Sequence, residues 1–118
     1  MSQSVLLAIA RRSIEEVLRA ENTIDRAKLL GEYPVLGQTM ATEVNLYLGE
    51  ELRGSARSEA ASRSLLDDII HNAKVAAFQD PNFTPLVTSE YLRASVELIL
   101  YSAEGPLRHR DAPILKEP

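Results

Sequence analysis

The chain has 118 residues, 45% of them apolar and 25% charged, with 5 Gly and 6 Pro, the composition of a globular chain and not of a disordered or low-complexity one. It has no Cys and 2 His, which excludes a disulfide scaffold, a thiol nucleophile and a thiolate zinc site and leaves too few imidazoles for a tetrahedral shell, so no metal and no cofactor are expected. A net charge of −4 opposes general binding to a phosphate backbone, and nucleic acid is not an expected partner.

One domain is the natural count, since folding at this length hides somewhat under roughly 70% of the unfolded chain's surface and one core suffices. With 4 Tyr, 2 Phe and no Trp, that core is mostly aliphatic. The start Met1-Ser2-Gln3-Ser4 has no cationic segment, and the apolar run from Val5 to Ala10 is broken at Arg11 and Arg12, far short of the roughly 20 residues a membrane span needs. A cytoplasmic chain without a membrane partner is expected.

From Ser4 to Ala20 the residues Leu6, Ile9, Ala10, Ile14, Val17 and Leu18 recur at three- and four-residue spacing, with Arg11, Arg12, Glu15, Glu16 and Arg19 on the other side. This predicts an amphipathic helix with one buried stripe. Thr23 is the expected N-cap of a short second helix from Ile24 to Leu30, stopped by Gly31. Pro34 and Gly37 make residues 31–38 an irregular loop anchored by Tyr33 and Leu36.

At Thr42 the period changes to two. Thr42, Val44, Leu46 and Leu48 share one face and Glu43, Asn45 and Tyr47 the other, after which Leu52, Gly54 and Ala56 alternate with Arg53, Ser55 and Arg57. A β-hairpin results, with Gly49 supplying positive φ at the turn, and Gly54 points to a bulge or a close backbone approach. Ser58 to Ser64 reads as a flexible lead-in to a third helix capped by Ser62 or Ser64, with Asp67 and Asp68 in its first turn. Leu66, Ile69, Ile70, Ala73, Ala76 and Ala77 form its stripe, and the alanines allow another element to come close. Asp80-Pro81 ends it, Phe83 and Leu86 pin the following loop, and Thr88 caps one more turn through Leu92. Ser95 to Ser102 is apolar on nearly both faces, as in a central strand. After Gly105-Pro106 the periodicity is lost.

Four stretches resemble the AMMECR-like domain family, named for the Alport syndrome, midface hypoplasia and elliptocytosis chromosomal region, whose bacterial members are called AmmeMemoRadiSam system protein A. They are Leu6-Leu7-Ala8-Ile9-Ala10-Arg11; Gly49-Glu50-Glu51-Leu52-Arg53-Gly54, similar to the approach to an L-R-G-C-I-G signature; Ala76-Ala77-Phe78-Gln79-Asp80-Pro81-Asn82-Phe83-Thr84-Pro85-Leu86, similar to A-A-F-x-D-x-R-F-x-P-L; and Ser95-Val96-Glu97-Leu98-Ile99-Leu100. The resemblance covers about residues 5–102 and implies an α+β fold and a role beside other proteins. Ser55, Ala56 and Arg57 stand where the signature has Cys, Ile and Gly, so no thiol role carries over, and Asn82 replaces an Arg. The family continues into a second lobe after the apolar strand; without it a sheet edge or face is expected to lie open to another copy or a partner chain.

Arg53, Ser55 and Arg57, with Gly54 between them, are the candidate ligand-binding residues: two guanidinium forks and a hydroxyl on one strand face suit a carboxylate or phosphate. Arg63 joins from the next loop. The competing reading is a solvated face whose arginines pair with Glu43, Glu51 or Glu59, and for Gly54 backbone packing. His71, four residues after Asp67, needs a nucleophile that only Ser55 could supply, and no catalytic residue is assigned. Asp67 and Asp68 point apart on their helix, against a metal site. His109 is a solvated tail residue, and Arg11-Arg12 and Arg108-His109-Arg110 are too short for a nucleic-acid stripe.

The expected molecule is therefore an α+β domain over residues 1–102, a small mixed sheet including a β-hairpin packed against amphipathic helices, with a partly disordered C-terminal arm over 103–118. Its expected function is that of a non-catalytic protein-interaction or accessory module, a homodimer or a subunit beside a larger protein. The alternative is a small anionic-ligand binder or enzyme using Arg53, Ser55 and Arg57.

Overall fold

In the computed structural model, which describes residues 3–115, the first amphipathic pattern forms α1 (Gln3–Arg19). Leu6, Ile9, Ala10 and Ile14 are buried as expected, but Val17 is exposed while Arg11 and Glu16 are not. Both charges are buried because each has partners. The Arg11 guanidinium donates to Asp111 and to the Ala94 carbonyl, and Glu16 Oε2 accepts the backbone N–H groups of Thr23 and Ile24 at 2.6 and 3.0 Å.

That use of Thr23 displaces the start of α2 (Arg26–Glu32) by two residues. Asp25, not Thr23, is the N-cap, accepting the Lys28 N–H at 3.0 Å, and the helix runs through Gly31 to Glu32. A 3₁₀ turn (Pro34–Gly37) follows and buries Leu36.

β1 (Ala41–Leu48) and β2 (Glu51–Arg57) form the hairpin, with Gly49 at φ 63°. Opposite Leu46 stands Gly54, and opposite Tyr47 stands Leu52, so Arg53 is an extra residue in the ladder. The bulge anticipated from Gly54 is there, and so is the close approach: a Cβ on Gly54 would collide with the carbonyl oxygen of Ala76 in α3 (Leu65–Phe78). The alanines of α3 and the bare Gly54 are two halves of one contact.

The lead-in to α3 is fixed instead of flexible. Met40 N–H bonds to Arg63 O, Leu65 N–H to Gln38 O, and Ser58 N–H to Thr42 O, while Ser64 caps the helix at Asp67 N–H. Asp68, fully buried, accepts from Thr42 N–H and Oγ1 at 2.7 Å each and from Ser58 Oγ and Arg63 Nε. After the Asp80-Pro81 stop, α4 (Thr88–Arg93) begins with Thr88 inside the helix and Val87 before it; the Glu90 carboxylate accepts the Val87 N–H, so no hydroxyl cap is needed.

β3 (Ala94–Ser102) is central, as predicted, and pairs on its far side with β4 (Gly105–Arg110). This corrects the reading of residues 103–118 as an arm. The polar sequence of β4 hid its two-residue alternation, while Gly105, at φ 118°, makes the turn. Residues 116–118 lie outside the described residues. The sheet order is β2-β1-β3-β4, and every pair is antiparallel, so the sheet is not mixed. One face packs on α1 and α3 through Val44, Leu46, Val96, Leu98 and Leu100. The fold is α+β, and α1 and α3 cover that one inner face.

Candidate functional site

Cross-strand partners project from the same side of a sheet, so the register defines the outer face: Glu43, Asn45 and Tyr47 of β1; Leu52, Ser55 and Arg57 of β2; Ser95, Glu97, Ile99 and Tyr101 of β3; Arg108 and Arg110 of β4. No helix or loop of the described residues is packed there, yet Asn45, Ser95, Glu97 and Ile99 are buried. Long side chains cover them. The Arg57 guanidinium lies 4.9 Å from the centre of the Tyr101 ring and that of Arg110 4.4 Å from the centre of Tyr47, both within cation–π range.

Beneath this cover Asn45 joins two carboxylates. Its Nδ2 donates to Glu43 Oε2 at 2.8 Å and to Glu97 Oε1 at 2.9 Å, and its Oδ1 accepts from Ser55 Oγ at 2.6 Å. Tyr101 donates to Glu43 at 2.7 Å, Tyr47 to Glu97 at 3.4 Å, and Arg108 Nε stands 3.7 Å from Glu97 Oε2. Arg110 donates to Ser95 Oγ and the Gly49 carbonyl. Burial pushes the Glu43 carboxyl upward, but the hydrogen bonds from Tyr101 and Asn45 and the charge of Arg57 outweigh it and hold the group below its ordinary range. The bond to Glu43, aided by burial, raises the Tyr101 phenol, and burial beside Glu97 raises that of Tyr47. Around neutral pH both phenols are therefore donors and Glu43 is an acceptor.

The candidate binding residues do not converge. Ser55 and Arg57 are on the outer face, whereas the bulge carries Arg53 to the loop before α4. There Arg53 Nε and Nη2 take the two oxygens of Glu90 at 2.9 and 3.0 Å, Nη2 also reaches the Thr84 carbonyl at 2.8 Å, and the Phe83 ring lies 5.5 Å away. Arg53 Nη1 is buried without a hydrogen-bond partner. Gly54 packs on Ala76, and the Ser55 N–H is taken by Asp80 Oδ2 at 3.0 Å. The L-R-G strand and the A-A-F-x-D-P segment thus hold each other. Arg63 pairs with Asp68 beneath the sheet. His71 is exposed on α3, and Asp67 pairs with Arg26 at 2.9 Å, so neither joins Ser55.

Reasoning from the sequence missed Glu97, Tyr101, Arg108 and Arg110. The signal was available in two places. Glu97 interrupts an otherwise apolar strand, and Arg108 and Arg110 alternate just past the Glu104-Gly105 turn.

The AMMECR1 family model matches residues 7–113, which takes in all four strands. Among solved structures the chain is similar to the uncharacterised protein PH0010 of Pyrococcus horikoshii, with 29% identity and a TM-score of 0.73 over 81% of this chain. It spans 49% of that protein's length. No curated protein matches it significantly. A match over nearly the whole sequence, together with a shared α+β architecture, makes this chain a member of the AMMECR1 family.

Proposed function

We propose that the chain is a non-catalytic interaction module that pairs with a second copy of itself through the outer face of its sheet. The observation that carries this reading is the cover over Asn45 and Glu97: two tyrosines and three arginines, the residue types that dominate protein contact energetics, spread over four strands with no helix or loop of the described residues upon them. The face carries both signs of charge, so a twofold-related copy can set its arginines against Glu43, as an isologous contact requires. The alternative of an anion cradled by Arg53, Ser55 and Arg57 has less support, because Arg53 is engaged by Glu90 and Thr84 away from the other two.

The test is the self-association constant from sedimentation. Arg57→Glu, on the outer face, is expected to weaken association by about tenfold or more, some 1.4 kcal/mol. His71→Glu, at an exposed position of α3, leaves it unchanged. Equal constants for the two variants contradict the proposal.

A further inference from the structure

We infer that the cleft between α1 and α2 is a binding site for a small amphipathic carboxylate. The cleft has a volume of about 480 Å³, within the roughly 300–1,000 Å³ of small-molecule sites. Its apolar walls are Val5, Ala8 and Ile9 from α1 and Ile24, Leu29 and Tyr33 from α2 and its flanks.

It stays open because α2 is fastened at its ends instead of along its length. At the start, Glu16 holds the N–H groups of Thr23 and Ile24, and Arg26 holds Asp67 at 2.9 Å. At the other end Tyr33 N–H closes on Leu29 O and Leu36 is sunk in the core. No residue of α2 itself is buried. A helix held in this way cannot collapse onto α1, so the cleft needs no opening step before a ligand enters, which favours affinity.

The polar groups at the cleft decide the ligand's charge. Among the described residues, the Arg12 side chain from one wall and the Lys28 side chain from the other have no hydrogen-bond or ion-pair partner. Asp25 is occupied as the cap of α2, which leaves Glu32 as the one acidic side chain in the lining without such a role. Arg12 and Lys28, on opposite walls over an apolar floor, fit a carboxylate head with an alkyl or aryl body, while of the two carboxylates in the same lining Asp25 is already held by its capping bond.

Calorimetric titration of the full chain with decanoate, decanol and decylamine tests this. Decanoate is expected to bind with one site, and decanol and decylamine each about tenfold more weakly or worse, which is the loss of one charge-assisted contact. Arg12→Ala and Lys28→Ala each weaken decanoate, and Ala8→Phe, which fills the cleft from an exposed helix position, abolishes its binding while circular dichroism stays that of the parent. No decanoate heat, binding that survives Ala8→Phe, or equal affinity for decanoate and decanol overturns the inference. So does binding to anionic phospholipid vesicles in the absence of any decanoate binding, which would make the cleft a membrane contact.

Discussion

Arg11 grips Asp111 across 100 positions of sequence, Nε to Oδ2 at 2.8 Å and Nη2 to Oδ1 at 3.0 Å. The same guanidinium donates to Ala94 O at 2.8 Å and lies 5.1 Å from the Tyr91 ring, while Asp111 Oδ1 also accepts the Val96 N–H. One bidentate pair thus ties α1, the start of β3 and the segment after β4 together. Burial would lower the Arg11 pKa, but Asp111 overrides it and keeps the group firmly charged. Removing one partner leaves the other charge mostly buried and alone, so Asp111→Ala is expected to cost about 3 kcal/mol in urea unfolding. The double variant Arg11→Met, Asp111→Leu should recover part of that loss, since no orphaned charge remains.

Two glycines should respond in opposite ways. Gly54→Ala drives a methyl group into the Ala76 backbone carbonyl, which cannot step aside as a flexible side chain would. Its expected cost is about 3 kcal/mol or more, with loss of folded protein a permitted form of that result. Gly31→Ala meets nothing within 4 Å and sits inside α2 at ordinary φ. It should stabilise by about 0.5–1 kcal/mol.

Arg53→Lys keeps the charge but loses the fork that engages Glu90 and Thr84 together. A loss of about 2 kcal/mol is expected, with faster hydrogen exchange at Leu86 and Val87, whose N–H groups bond to Ala77 O and Glu90. Unchanged exchange in that loop would mean the clamp does not restrain it.

Stability should fall on acidification through three glutamates. Burial opposes ionisation of Glu16 and Glu43, yet hydrogen bonds from Thr23 and Ile24, and from Tyr101, bring both below the ordinary 4.5; for Glu90 the bond from Arg53 is the main cause. A carboxyl lowered by folding contributes fully above its unfolded pKa and loses that contribution as pH drops through its folded value. The melting temperature should therefore hold from neutrality to about pH 5 and decline below about 4.5, and Glu16→Gln should flatten the decline.

The sequence carried the helices and the hairpin because apolar spacing reports which face is buried, and Gly54 with Ala76 showed that two backbones must meet. It misplaced what side chains decide. Arg11 and Glu16 read as solvent-facing because periodicity cannot see a partner 100 residues away or a backbone N–H across a turn. Arg53 read as sharing a face with Ser55 and Arg57 because simple alternation does not register the bulge that removes it. β4 was lost because its inward position opposite Leu98 is taken by His109, which is half-buried there and not the solvated tail residue expected, so the edge strand has no apolar face to announce it, and with it went Arg108 and Arg110, the outer edge of the candidate surface.

The most direct test of the outer-face account is the mass of the unaltered chain by sedimentation equilibrium at millimolar concentration. Pairing predicts twice the 13.1 kDa of one chain, falling toward a single chain on dilution. A mass of 13.1 kDa throughout would contradict it.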